Sequence, residues 1–247
     1  MPLFPPVPPF ALRSITGPTE SENFMGRGQL DLEYLFGLHA KHAPARTGQL
    51  RVLDFGCGCG RLSRHLTADW IKAFASDMNP DLVAWCRDNL PAVDTRKNEG
   101  LPPLPFEPSS IDFAYALSVF THLPEDVAAE WFEDLARVLA PGGILIATTH
   151  GYPALVTIKW SKVHQDMIGI TQQKAADLIE QLPRERLIFL PYDDALTRQT
   201  HATTAYGNAF MDIERVGRLW ENSFELLEHV PGGRQRDWQD ALVLRKK

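Results

Sequence analysis

The chain has 247 residues, 44% hydrophobic and 23% charged, with a formal charge of −6 at neutral pH. That is the make-up of a globular protein able to bury about 70% of its unfolded surface. The acidic surplus excludes tight non-specific nucleic-acid binding, which needs a basic footprint. No run approaches the roughly 18 apolar residues of a membrane span, and the proline-rich start Met1-Pro-Leu-Phe-Pro-Pro lacks the features of a secretory signal. A cytoplasmic protein without nucleic-acid or membrane partners is expected.

Residues 1–20 read as a surface arm. Phe24, Leu30, Tyr34, Leu35 and Leu38 recur at helical spacing and predict a helix from Phe24 to His42. Residues 1–43 are thus expected to form an arm and helix serving as a lid. Strands follow at Leu50–Phe55 and Lys72–Ser76, with a helix expected between them from Arg61 to about Trp70. Asp81–Asn89 reads as a helix capped by Asn79 or Asp81, with Pro80 in its first turn. Val93–Lys97 and Ile111–Leu117 are the third and fourth strands. Pro124 to Leu139 is a helix carrying Val127, Trp131, Leu135 and Val138 on one side, closed by Pro141-Gly142-Gly143, and Ile144–Thr149 is the fifth strand.

Such alternation predicts a parallel sheet covered on both faces, spanning residues 44–150. From Gly151 to Phe210 the regularity fades around a helix near Gln172–Gln181. Residues 151–210 are too long for a plain connection and are expected as a substrate-binding insertion over the carboxyl edge of the sheet, where ligands bind in open α/β folds. Residues 211–247 read as a helix, Met211–Glu221, and an antiparallel pair, Phe224–Val230 and Ala241–Arg245. Cys57, Cys59 and Cys86 are too few for a disulfide framework and, with no second ligand pair nearby, are expected as reduced thiols without a metal.

The richest stretch is Asp54-Phe-Gly56-Cys57-Gly58-Cys-Gly60-Arg61. A glycine turn after a strand lets the backbone approach a ligand closely, as in dinucleotide enzymes and in S-adenosylmethionine (SAM) methyltransferases. Asp77, ending the next strand, suits a ribose diol in either case. Met78 suits adenine or plain packing. Arg61 occupies the third glycine position of the nicotinamide pattern, and an acid at Asp54 would repel a pyrophosphate but attract an ammonium.

The stretch resembles the first motif of the class I SAM-dependent methyltransferases, acid-x-Gly-x-Gly-x-Gly. The resemblance implies that Asp54 meets the amino end of the cofactor, usually through water, while Gly56, Cys57, Gly58, Gly60 and Arg61 wrap its methionine and ribose. Asn98-Glu99-Gly100, Leu104-Pro105-Phe106 and Ile111-Asp112-Phe113 resemble the family's third and fourth strands, implying adenine contacts from Asn98 and Glu99, although many members carry aspartate in place of Asn98. The stretch from Leu117-Ser118 to His122 resembles the segment after strand four, implying that Leu117 and Ser118 line the cofactor. Leu139 to Gly143 and the C-terminal pair are similar to the turn into strand five and the final hairpin. The likeness covers residues 44–150 well and 211–247 loosely. It implies an α/β, doubly wound, mostly parallel seven-stranded sheet of order 3-2-1-4-5-7-6, last strand antiparallel, with an insertion after strand five. The cofactor implied is SAM, giving S-adenosylhomocysteine.

Methyl transfer to a hydroxyl is helped by a base within hydrogen-bond reach. His122 and His150, beyond strands four and five, are the candidates. For His122 a hydrogen bond tying its loop to the helix near Pro124 is the slightly favoured reading, and His150 is equally suited to a structural role. His164, His201, Tyr152 and Tyr206 are further candidates for acceptor contact. The segment Ala116-Leu-Ser-Val-Phe120 lacks the acid/Asn-Pro-Pro-aromatic pattern of nucleic-acid amine methylation, and no acid cluster suggests magnesium. The expectation is O-methylation of a small-molecule or glycan acceptor, the glycan implied by similarity of the arm and the Gln239-Asp240 ending to glycan-associated members. Alternatives are N-methylation of a small molecule, an NAD(P)-dependent oxidoreductase and a non-catalytic SAM-binding protein.

Overall fold

Strand residues that are apolar at both odd and even positions must be covered on two faces. In the computed structural model, Val52, Phe113, Tyr115, Ile144, Ile146 and Val243 join one buried cluster with Leu32, Leu35 and Leu38. Their chain neighbours Leu53, Ala114, Leu145, Leu242 and Leu244 join the other with Trp131, Phe132 and Leu135. The structure describes residues 5–16, 21–45, 47–193, 204–214, 216–232 and 238–247.

The strands are β1 Leu50–Phe55, β2 Ile71–Asp77, β3 Val93–Lys97, β4 Ile111–Ala116, β5 Leu139–Thr149, β6 Leu187–Pro191, β7 Gly207–Met211, β8 Phe224–Val230 and β9 Asp240–Lys246. Seven form one sheet in the order β3-β2-β1-β4-β5-β9-β8. β1 to β5 pair in parallel, and β9 runs antiparallel to both neighbours. This is the expected 3-2-1-4-5-7-6. Chain numbers 8 and 9 fill the last two places because β6 and β7 form a separate antiparallel pair.

The helices are α1 Phe10–Thr16, α2 Ser21–His42, α3 Pro80–Asn89, α4 Glu125–Val138, α5 Tyr152–Trp160, α6 Lys162–Ile168 and α7 Gln172–Glu185. α2 lies on the first sheet face and α4 on the second. α3 is capped by Asn79, whose side-chain oxygen accepts from the amides of Asp81 and Leu82. α5 and α7 build a third cluster of Leu155, Ile158, Ala175, Leu178 and Leu182 with Phe210 of β7. Among the described residues no helix is long and apolar enough to cross a membrane.

Three local expectations are corrected. The helix expected from Arg61 to Trp70 is a single 3-10 turn, Ser63–His65. Ser63 and Arg64 are turned inward, to the Asp54 carboxylate and the Gly60 carbonyl, and both are buried. With these polar side chains inside beside Leu62 and Leu66, no amphipathic face exists to hold a helix. The helix expected at Met211–Glu221 is also not found among the described residues: Met211 ends β7, and a 3-10 turn follows at Gly217–Leu219. Ile213, Val216 and Leu219 are buried at a spacing of three, which successive tight turns produce as readily as a helix does. Finally, β5 begins directly after α4. Pro141 to Gly143 form a bulge within β5, where the register shifts between Ile111/Leu139 and Phe113/Ile144 and Gly142 takes φ +73°.

Candidate active site

The carboxyl ends of the parallel strands converge on the glycine turn. The amides of Gly56 and Cys57 donate to the Ser76 carbonyl at 2.8 and 3.0 Å, and that of Gly58 donates to Asp77 Oδ2 at 2.8 Å. Gly56 and Gly60 have φ of +76° and +75°. A Cβ at Gly56 would lie 2.4 Å from Val119 Cγ2, and one at Gly60 would lie 2.3 Å from Leu90 Cδ1. These two glycines let the turn close on the protein itself, leaving Gly58, at φ +56°, between them. The Cys57 and Cys86 thiols both face the Gly58 carbonyl, at 3.5 and 3.4 Å. Cys86 and burial push the Cys57 thiol well up, so it stays protonated.

Asp54 is buried and accepts from Ser63 Oγ at 2.5 Å. Burial pushes its carboxyl up to about 6, against the pull of the Ser63 hydroxyl and the Arg61 charge. The Arg61 guanidinium is held by Asp31 of α2, Nη1 to Oδ2 at 2.6 Å. Asp77 also accepts from the Asn79 amide, at 2.9 Å on Oδ1, so both its oxygens are engaged and burial raises it too. Each oxygen keeps a second lone pair for a further donor. Met78, beside it, is half-buried.

Asn98 is buried, and its Nδ2 donates to the Glu99 carbonyl at 2.7 Å. That bond orients the amide and leaves Oδ1 buried without a partner among the described residues. The Glu99 carboxylate is turned to solvent, 72% exposed and paired with Lys97. Leu117 is half-buried. Ser118 takes φ +59°, costly for a residue with a Cβ. Its amide donates to Thr148 Oγ1 at 2.8 Å, and its hydroxyl is held by Gln239. Asp112, within β4, is engaged by Arg51, Nη2 to Oδ1 at 2.6 Å.

The histidines meet beyond β4 and β5, with ring centroids 6.5 Å apart. His122 Nδ1 lies 2.8 Å from the Gly207 carbonyl and 3.1 Å from the Tyr192 hydroxyl. The ring stacks on Tyr206 at 5.0 Å and 27°. Its bond therefore goes to β7, not to α4. Burial lowers His122 from the ordinary histidine value. His150, 1% exposed, is sandwiched between Trp238 at 4.4 Å and Phe210 at 5.5 Å. Burial and the neighbouring His122 hold it well below that value. Neither of its ring nitrogens has a hydrogen-bond partner among the described residues. His164 meets the edge of Trp238, and Nδ1 of its ring bonds Ser161. Tyr152 is 53% exposed, and His201 lies outside the described residues.

Residues 52–143 match a family model described as a methyltransferase domain. The chain carries a class I SAM-dependent methyltransferase domain. The malonyl-[acyl-carrier protein] O-methyltransferase of Pectobacterium atrosepticum is 29% identical over 113 residues, 43% of this chain and 40% of that protein. The biotin biosynthesis bifunctional protein of Cellvibrio japonicus is 29% identical over 124 residues, 49% of this chain and 24% of that one. The matches thus span less than half of these relatives. The crystal structure of magnesium protoporphyrin IX methyltransferase from Synechocystis PCC 6803, with bound S-adenosylhomocysteine, superposes with a TM-score of 0.57 at 15% identity over 96% of this chain and 93% of that one.

The methyltransferase domain's own residues fit the cofactor on two structural counts. A buried carboxylate held up at about 6 calls for a cation. The orphaned Asn98 Oδ1 calls for a donor such as an adenine amine. Around the turn the structure gathers Asp54, Gly56, Cys57, Gly58, Gly60, Asp77 and Asn98, while the Arg61 and Glu99 side chains are engaged elsewhere. Sequence reading missed Ser63, Thr148, Tyr192, Asn208, Gln239 and Trp238. For Tyr192 a signal existed: it follows the apolar run Leu187–Leu190, a strand signature.

Proposed function

We propose that the chain transfers a methyl group from SAM to a hydroxyl of a small-molecule or glycan acceptor, with His122 as the general base. When bound, SAM supplies an electrophilic methyl group on a sulfonium. Asp54 receives the cationic amino end, Asp77 the ribose and Asn98 Oδ1 the adenine amine, with the glycine turn and the Leu117–Ser118 backbone closing around them. An acceptor hydroxyl gives its proton to His122 Nε2 as its oxygen gains the methyl.

The observation that carries this reading is the neutral His122 ring at the carboxyl edge. Its Nδ1 is occupied by Gly207, so Nε2 is left to act. His150, sealed between two aromatic rings, fits a structural role better. Among the relatives, the Pectobacterium protein is named for O-methylation. Residues 1–43 as a lid and 151–210 as the acceptor-binding insertion follow from the same reading. Three buried free cysteines favour a cytoplasmic location.

The test is incubation with SAM and a panel of sugars, phenols and amines, reading S-adenosylhomocysteine release and the methylated atom by NMR. The expected product is a methyl ether, with His122→Ala lowering kcat about 10²-fold at unchanged SAM affinity. Methylation confined to amines, or full turnover by His122→Ala, overturns it.

A further inference from the structure

We propose that Tyr192 and Asn208 are positioning residues which hold His122 in the Nδ1–H tautomer, so that the bare Nε2 faces the acceptor. The inference rests on the reading of His122 as the base and deepens it. The chain of bonds has one direction, set at its far end. Asn208 is buried in β7, and its Nδ2 donates to the Ile168 carbonyl at 3.1 Å. A carbonyl only accepts, so the amide cannot turn over, and Asn208 Oδ1 faces Tyr192. The Tyr192 hydroxyl donates to that Oδ1 at 3.0 Å.

A phenol has one proton to give. With it committed to Asn208, the oxygen presents a lone pair to His122 Nδ1, 3.1 Å away. The Gly207 carbonyl, at 2.8 Å, also only accepts. Two acceptors converge on one nitrogen, so that nitrogen carries the hydrogen. In a neutral imidazole the other nitrogen is then the lone-pair site. Among the described residues His122 Nε2 has no hydrogen-bond partner, its ring bonding only through Nδ1.

Serine-protease triads assign the same task to a carboxylate. Among the described residues no carboxylate bonds the ring. The titratable groups facing it are His150, beyond β5, and Tyr192 and Tyr206, flanking the β6–β7 pair. Burial holds both phenols up, Tyr192 to about 12, and His150 far down. On α4, Glu125 is paired with Arg218. All three facing groups are thus uncharged near neutrality. The imidazolium formed when Nε2 takes a proton is stabilised at Nδ1 by two dipoles, one from Gly207 and one from the Tyr192–Asn208 pair.

The experiment uses the full chain and its Tyr192→Phe and Asn208→Ala variants. Side-chain 15N NMR of His122, assigned by loss of signal in His122→Gln, reads the tautomer without any acceptor. A single Nδ1–H form is expected in the natural chain. In Tyr192→Phe the Gly207 carbonyl still favours Nδ1–H, and the Nε2–H form should become populated as a minor form. In Asn208→Ala it should grow further, since the freed Tyr192 proton can turn toward Nδ1. Removing the phenol oxygen costs the imidazolium an acceptor, so the acid limb of kcat should move down by about half a pH unit and the plateau should fall about fivefold. SAM affinity should not change. An Nε2–H ring in the natural chain, or Tyr192→Phe with tautomer and acid limb unmoved, overturns the proposal. A merely structural role would lower thermal stability and leave tautomer and limb in place. If no acceptor is turned over, the tautomer still decides. If the tautomer is as expected but His122→Gln retains full activity, the base assignment falls and the positioning stands.

Discussion

Asp54, proposed to receive the cofactor's amino end, shows how such a residue works against its own fold. Burial raises its carboxyl from 3.8 to about 6, so the folded chain binds the Asp54 proton more tightly than the unfolded chain. Its favourable contribution is present at acid pH and is lost as pH rises through about 4 to 6. Above that window the empty protein carries a buried charge costing about 3 kcal/mol for a shift of about two units. A ligand ammonium offsets this cost. Asp54→Asn should therefore raise the stability of the empty protein at pH 7.5 by about 1–3 kcal/mol while weakening SAM at least about tenfold. Calorimetry checks both halves, and a variant with unchanged melting and unchanged affinity refutes the role. The natural chain should also lose SAM affinity as pH falls below about 6, approaching about tenfold per pH unit as the carboxyl protonates. Asp54→Asn should not show that slope in titrations between pH 5 and 8.

At the scale of elements, the glycine turn is held from both sides. Gly60 combines φ +75° with a Cβ position 2.3 Å from Leu90 Cδ1, whereas Gly142, at φ +73°, has nothing within 4 Å. Both Gly→Ala changes meet the backbone cost of about 1–3 kcal/mol, and only Gly60→Ala adds overpacking, a further 1–3 kcal/mol or about that. Urea denaturation should separate the two variants by that second amount, and equal losses would remove the packing argument. On the other side, buried Arg64 donates to the Pro6 carbonyl and the Gly60 carbonyl and lies over the Phe24 ring. This joins the N-terminal arm to the turn. Arg64→Ala should free the arm, read as proteolysis ahead of α2, and protection equal to the natural chain would contradict that. The same elements show what a sequence can tell. β1, β4 and β5 were legible because apolar residues sit on both of their faces. The stretch after Gly60 was not, because Ser63 and Arg64 point inward to bonds that no periodicity encodes. The spacing of Ile213, Val216 and Leu219 misled because turns and helices share it. Asp54 and the glycines were legible from local order alone. The apolar run before Tyr192 marks a strand, but the link of Tyr192 and Asn208 to His122 was not legible, since His122 lies on another element and only folding brings the three together.

Across the whole molecule, the two candidate substrates fall to two differently built regions. The glycine turn sits on the main sheet, whose strands β1, β4, β5 and β9 are buried on both faces. The histidine site is roofed by β6 and β7, which lean on the small α5–α7 cluster. That cluster has few fully buried side chains. α6 buries none of its residues, and Trp160, Val163 and Met167 are 71%, 69% and 63% exposed. Local opening follows buried contact, so the α5–β7 region should open well below the global unfolding free energy. Hydrogen exchange should find the slowest amides in β1, β4 and β5 and faster ones in α6, α7, β6 and β7. SAM should slow residues 56–61 and the strand ends at Asp77, Asn98 and Ser118, and leave β6 and β7 nearly unchanged, because none of the residues proposed to hold it lies on that pair. A methylatable acceptor should do the reverse, slowing β7 at Gly207 and Asn208. Exchange of α7 as slow as that of β4 would show one cooperative unit, and the acceptor site would then be preformed, not ordered by what it binds.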